Sequence, residues 1–410
     1  MSSSASPRFE LPGDDARLEE LQALRPLPYF APSAMQFVAQ FAEKLLTRKD
    51  AAATAPELVA LGYWFRPSRI AKLQQESSPA ERTSRRVARG LAFHIVPSNV
   101  DVLFCYSWLL SVLAGNLNVV RLPQKRGPAS EILLQHIDEL LAEPRFRELK
   151  ERTLFLSYGH EESITRRLSL ACQLRVVWGG DDTVEMIRQI PLNPLAAELR
   201  FADRFSLAAM SARKVASLEE AALARLVQDL AKDIFTFDQR ACSSVRAVCW
   251  VGEPDDCRRA SERLWAAFER TAPRIGWRLP AGAAGERLSQ AMLVAAGATN
   301  SEVRLCAEGR ICKVRVDALA DSLRQASCGA GMLLESHCPD LRALAAQLTS
   351  RDQTLALFGF EASEVDSLVG SLGCRAVDRI VPVGNALDFH HVWEGWNLLH
   401  EFSREVVISL

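Results

Sequence analysis

Cys242 lies in the stretch Phe237–Ser244, Phe-Asp-Gln-Arg-Ala-Cys-Ser-Ser, between a helical run at Leu218–Phe235 and a strand-type apolar run at Val245–Val251. A thiol at a helix-to-strand junction can sit at the floor of a cleft without being packed away. The two serines and the backbone N–H groups beside it suit an oxygen that becomes negative. Thiolate nucleophiles work in such places, because the reactive form needs local positive potential and partial access. The competing reading is a small core residue, the usual fate of a buried cysteine. The polar neighbours Asp238, Gln239, Arg240, Ser243 and Ser244 weigh against it.

Three loops could hold a ligand. They are Pro97-Ser98-Asn99, Pro123-Gln124-Lys125 and Gly179-Gly180-Asp181-Asp182. Two glycines after a strand and before a helix can receive a phosphate on open N–H groups. The pattern is not GxGxxG, and the two aspartates would repel an anion that they faced; they can equally cap the helix. Local sequence leaves cap and ligand loop level. His390-His391 could act as an acid, but a structural histidine pair is the commoner use, and Trp393 and Trp396 read as core or interface.

The other cysteines, at 105, 172, 249, 257, 306, 312, 328, 338 and 374, form no CxxC and no zinc-type spacing, so no metal is expected. With no basic and apolar leader at the N-terminus, reduced thiols and a cytoplasmic location are expected. Lys plus Arg total 49 against 50 for Asp plus Glu, which gives no footprint for nucleic acid. The apolar run Val102–Gly115 is too short to span a bilayer and reads as a buried helix, so no integral membrane segment is expected.

These residues need elements to position them. The 410 residues suffice for two or three domains. Residues 1–89 read as a helical cap, with a helix at Ser33–Thr47, another from Pro56 and a solvated basic run at Arg82–Arg89. From Gly90 strands alternate with helices: strands at Leu91–Val96, Asn118–Leu122, Thr153–Ser157 and Leu174–Trp178, helices at Val102–Leu113, Ala129–Leu141, Glu161–Ala171 and Thr183–Ile190. That alternation predicts a parallel sheet covered on both faces, with ligands beyond the strands' carboxyl ends. Pro191–Ala202 reads as a break. A second α/β segment follows, with strands at Phe205–Met210, Cys312–Val316 and Leu355–Phe360, and Glu405–Leu410 is a strand-like tail.

The order strand, Pro-Ser-Asn, helix, then Gly115-Asn116 and a strand reaching Arg121, then a strand with two glycines, then helix–Cys–strand, resembles the aldehyde dehydrogenase superfamily. Within it, FDQRACSS, HIVPSNV, VVWGGDDTV and DRIVPVG…WEGW are similar to the LuxC-type acyl-CoA reductases, from about Gly90 to the C-terminus. The resemblance implies an α/β fold: a Rossmann-type NAD(P)-binding domain at 90–204, an α/β catalytic domain at 205–377 and a C-terminal return and oligomerisation segment at 378–410. It implies Cys242 as the acylated nucleophile and Asn99 as an oxyanion donor. Pro97, Ser98, Arg121, Gly179 and Gly180 fall to the cofactor site. An arginine at the ribose can pair with a 2′-phosphate, which favours NADPH, with NAD(H) as the alternative.

The resemblance also implies an acyl-CoA or acyl-carrier-protein substrate, reduced to an aldehyde, and a homo-oligomer. One departure bears on the reaction. The water-activating glutamate of hydrolytic relatives, in a Glu-Leu-Gly-Gly-Lys motif, has no counterpart in Leu199–Arg204, and Glu198 is off register. That favours reduction of a thioester over oxidation to an acid. Acyl-phosphate reduction, aldehyde oxidation and a non-catalytic scaffold on the same fold remain as alternatives.

Overall fold

Strands buried at every position come from near-continuous apolar runs, because a parallel sheet with helices on both faces has no wet side. Leu91–Ile95 and Leu174–Trp178 are of this kind. A computed structural model describes residues 15–48, 55–78, 83–97, 99–271, 276–279, 282–373 and 376–409. The chain divides into two units: one formed by residues 1–202 with 389–410, the other by 203–388.

The first unit carries β1 (Ser84–Ala88), β2 (Leu91–Ile95), β3 (Leu117–Leu122), β4 (Thr153–Ser157), β5 (Leu174–Trp178) and β6 (Ala197–Phe201). Strands β2 to β6 form a parallel sheet in the order β4-β3-β2-β5-β6. From β2 the chain moves outward through β3 to β4, then returns to the other side of β2 for β5 and β6. The reversal puts a crevice beyond the carboxyl ends of β2 and β5, where doubly wound sheets bind ligands. The helix Leu103–Leu113 is buried along its length from Phe104, as its apolar run predicts. Among the described residues no helix is long and apolar enough to cross a membrane.

Three segments differ from their sequence reading. The break at Pro191–Ala202 contains β6, which pairs with β5. Its pattern is masked because Glu198 points its charge at Arg175, a buried arginine of β5, at 2.6 Å. The basic run read as a solvated face carries β1, which pairs antiparallel with β16 (Ser403–Val407), Ser84 opposite Val407; Arg82 lies outside the described residues. The C-terminal tail therefore has a partner strand within its own chain. Asn116 ties that return down: its Oδ1 accepts from the N–H of Arg89 and Gly90, and its Nδ2 donates to Phe402 O at 2.7 Å.

The second unit holds β7 (Phe205–Ser211), β8 (Val245–Val251), β9 (Glu302–Cys306), β10 (Ile311–Arg315), β11 (Met332–Cys338), β12 (Asp352–Phe358) and β13 (Arg379–Pro382). Their order is β13-β12-β7-β8-β11-β10-β9, parallel except for the edge strand β9. Strand β8 is central, and its run Val245–Val251 is where the sequence places it. The chain then returns to the first unit through the hairpin of β14 (Val392–Trp393) and β15 (Trp396–Asn397).

Candidate active site

In the first unit, adjacent strands carry three of the expected loops to one edge. Pro97 and Asn99 follow β2, Arg121 is the penultimate residue of β3, and Gly179-Gly180 follow β5. Ser98 lies outside the described residues. Pro97 is half-buried and Asn99 exposed. Their loop is anchored by Asp101, which sequence reading passed over. Its Oδ1 accepts from Gly127 N at 3.2 Å and its backbone oxygen from Ser130 Oγ at 3.0 Å, at the start of the helix Pro128–Leu141. A Cβ on Gly127 would lie 2.0 Å from Asp101 Oδ2, so only glycine lets the two loops approach this closely.

Arg121 lies over the ring of Tyr158 at 4.6 Å and donates through one guanidinium nitrogen to Gly159 O. It lines a cavity of about 280 Å³ with His160, Glu162, Thr165, Met186 and Ile187. Gln189 and Ile190 complete a mixed lining, in which Met186, Ile187 and Ile190 are apolar and Arg121, His160, Glu162, Thr165 and Gln189 polar. Gly179 packs against the first turn of the following helix; a Cβ there would meet Thr183 Cγ2 at 2.9 Å. Gly180 is the N-cap, with no side-chain cap, and Asp181 and Asp182 stand inside the first turn. The N-cap position therefore falls to Gly180 and not to an aspartate, and the two acids meet the helix dipole from within the first turn. Arg121 and the glycine turn at Gly179-Gly180 are the residues of this set that could hold a dinucleotide.

In the second unit, Cys242 is half-buried, immediately ahead of β8. The loop before it makes a turn that local sequence does not announce. Phe237, Asp238 and Gln239 have φ of 59°, 53° and 59°, a left-handed run of three non-glycine residues. Facing it is a second such run, Gly329, Ala330 and Gly331, at 74°, 54° and 81°. The fully buried Gln239 clasps the two: its Nε2 donates to Val245 O at 2.7 Å and Met332 O at 3.1 Å, and its Oε1 accepts from Gly331 N at 2.7 Å. A Cβ on Gly331 would lie 2.1 Å from Arg310 O, so that position admits glycine alone. Asp238 accepts from Trp277 Nε1 at 2.8 Å.

The carbonyl of Cys242 accepts from Ser206 Oγ of β7 at 2.7 Å, and Ser243 Oγ donates to Gln353 at 3.1 Å. The backbone at Cys242 is therefore held from β7, while Ser243 ties to β12. The serines named in the sequence serve differently from each other: Ser243 is bonded, while Ser244 Oγ is buried without a partner. Of the clasp, only the Cys-Gly-Ala-Gly at 328–331 carried a sequence signal, its paired glycines.

Two acids that might serve as bases are occupied. Glu198 takes Arg175 Nε at 2.7 Å. Glu335, at the far end of β8 from Cys242, lies in a cleft of about 380 Å³, where its carboxylate accepts from Trp250 and Trp265 Nε1, Ser261 Oγ and Lys313 Nζ. Lys313 and these bonds hold its carboxyl below the usual range against the opposing effect of burial. It anchors the core. Of the C-terminal residues, His390 stacks on His391, and Tyr106 donates to His390 O within the first unit.

Solved aldehyde dehydrogenases share the fold. Aldehyde dehydrogenase 21 of Physcomitrella patens, in complex with succinate, aligns over 96% of this chain and 88% of its own, at TM-score 0.67 and 10% identity. An NAD-dependent benzaldehyde dehydrogenase of Corynebacterium glutamicum aligns over 99% and 90%, at 0.66 and 14%. PnpE in complex with nicotinamide adenine dinucleotide aligns over 95% and 84%, at 0.64 and 12%. These define the class: an aldehyde dehydrogenase fold. Residues 69–405 match the LuxC acyl-CoA reductase family, and the chain belongs to that family. A long-chain acyl-protein thioester reductase of Aliivibrio fischeri is 23% identical over 168 residues. That stretch is 40% of this chain and spans a third of the relative's length, 33%.

Proposed function

We propose that this protein reduces an acyl thioester, a fatty acyl-CoA or acyl-carrier-protein, to the aldehyde through a thioacyl intermediate on Cys242. The observation that carries the reading is the half-buried cysteine ahead of β8, its carbonyl held by Ser206 and its loop clasped to Val245 by Gln239, in a chain of the acyl-CoA reductase family. The Cys242 thiolate attacks the thioester carbonyl, and the collapse of the adduct expels the CoA or carrier thiolate. The family resemblance assigns stabilisation of the oxyanion to the Cys242 N–H and the Asn99 amide. One such donor contributes about 3–4 kcal/mol, so Asn99→Ala is expected to slow acylation by about 10²–10³-fold in single-turnover kinetics. Bound NADPH supplies the hydride that releases the acyl group as aldehyde. Arg121, Gly179, Gly180 and Pro97 would hold that dinucleotide, and the family resemblance assigns Ser98 to the same site. The commitment of Glu198 to Arg175 favours reduction over hydrolysis. A homo-oligomer is the assembly we infer by resemblance.

The test is intact mass after mixing the protein with a panel of acyl-CoAs, with and without NADPH. An acyl mass that disappears with NADPH, and never appears on Cys242→Ala, is the expected result. No adduct with any CoA or carrier-protein thioester would overturn the reading.

A further inference from the structure

Ser206 is a fully buried residue of β7, and the sheet is irregular on both sides of it. Toward β12 the register slips between Asp352 and Thr354; toward β8 it slips between Ser206 and Leu207. Irregularities of this kind re-aim groups beside working sites. Here the Ser206 hydroxyl makes two bonds: Oγ accepts from Thr354 N at 3.2 Å and donates to the Cys242 carbonyl at 2.7 Å. The Cys242–Ser243 peptide is the middle of a turn closed by Ser244 N, which donates to Ala241 O at 3.0 Å. Its other end is pinned by the Ser243 hydroxyl, which donates to Gln353 at 3.1 Å.

A trans peptide is planar, and its N–H points opposite its carbonyl. With the Cys242 carbonyl turned onto Ser206, the Ser243 N–H faces away from β7. Ser243 is buried, yet that N–H has no acceptor among the described residues. Buried backbone N–H groups are nearly always paired, so an open one beside a thiol calls for a partner that arrives with a ligand.

We infer that Ser206 is a positioning residue for acyl transfer: it fixes the Cys242–Ser243 peptide so that the Ser243 N–H receives the oxyanion formed at Cys242. The inference rests on the reading of Cys242 as the nucleophile, and it adds a donor to the two that the resemblance assigns. The N–H of the residue after a nucleophile can reach the oxygen of the adduct, as it does in the nucleophile elbow of hydrolases. In acylation the Cys242 thiolate bonds to the carbonyl carbon and the carbonyl π electrons move to oxygen. Collapse then expels the leaving group with its electron pair. Ser206 exchanges no proton in these steps. It holds a dipole where charge develops, and the arrangement is set before substrate binds.

Two reactions of the same thiol separate a placed N–H from a well-built loop. Acetylation by p-nitrophenyl acetate passes through an oxyanion, whereas alkylation by iodoacetamide displaces iodide at a saturated carbon and forms none. Both rates are followed by intact mass for the full chain, Ser206→Ala and Ser206→Thr, with Cys242→Ala as the site control. Ser206→Ala is expected to acetylate about 10–100-fold more slowly, short of the loss from deleting a donor outright, and to alkylate at the parent rate. Ser206→Thr, which keeps the hydroxyl, acetylates close to the parent. Equal acetylation of parent and Ser206→Ala overturns the inference. So does a fall in acetylation and alkylation together, the mark of a structural serine. If Ser206→Ala does not fold, the parent supplies a second measurement: a crystal structure with an aldehyde bound to Cys242 as a thiohemiacetal. The adduct oxygen is expected within about 3 Å of Ser243 N, and an oxygen placed elsewhere overturns the inference. The two readings fail separately. Slowed acetylation of Ser206→Ala, with no adduct from any acyl thioester, removes the proposed substrate and leaves Ser206 in its role. An acyl adduct from a thioester, with acetylation unmoved in Ser206→Ala, removes the inference alone. A parent whose Cys242 no acylating reagent modifies removes both.

Discussion

At the residue scale, Phe237, Asp238 and Gln239 each hold a left-handed φ that costs an L residue about 1–2 kcal/mol. Such a run persists only where its surroundings over-determine it, and it commonly marks a working site. Here Gln239 is the determinant, through its bonds to Val245, Met332 and Gly331. Gln239→Ala is expected to lose about 2–4 kcal/mol in urea unfolding, from buried bonds of about 1 kcal/mol each plus the groups left unsatisfied. It should also broaden the alkylation kinetics of Cys242, as the loop samples other turns. The thiol and its polar neighbours were legible in sequence because residue type alone carried them. The clasp was not: a glutamine that bonds across 92 residues looks like any polar loop residue.

At the element scale, β2 carries a histidine with no exposed surface, His94, bonded to Ser107 Oγ at 2.9 Å and Asn118 Oδ1 at 3.2 Å. Burial pushes its pKa down to about 4, against the Asn118 bond. Between pH 6.5 and 4 the unfolded chain therefore takes up a proton that the folded chain refuses. Stability from this group is complete above about 6.5 and falls as pH drops, by up to about 3 kcal/mol. Urea midpoints at pH 7 and pH 4.5 should differ less in His94→Gln than in the parent; an equal difference would remove His94 as the cause. Buried strands such as β2, β4, β5 and β8 were readable because their apolar runs are self-contained. Of the missed strands, β1, β6, β9 and β13 are sheet edges or ribbons, whose charged and short sequences become strands only beside a partner, as does the short hairpin of β14 and β15. The interior strand β11 was missed for another reason: Glu335, Ser336 and His337 interrupt its apolar run.

At the scale of the whole molecule, the second unit is one continuous piece, 203–388, whereas the first is closed by a return of the chain. Residues 389–410 bring β16 to β1 and Phe402 to Asn116. A chain ending at Asp388 is expected to lose the cooperative melting of the first unit while the seven-stranded sheet of the second still melts as a unit; differential scanning calorimetry of both chains checks this. Loss of both transitions together would mean that the second unit depends on the return as well. By itself the sequence determined the kind of chain this is: alternating α/β, a thiol between helix and strand, loops after β2, β3 and β5, and the family resemblance. These follow from side-chain type and short-range periodicity, which act over a few residues. Only the tertiary structure decided the strand order that puts those loops on one edge and the left-handed clasp around Cys242. Each depends on groups far apart in the chain, and no local preference encodes which of them will meet.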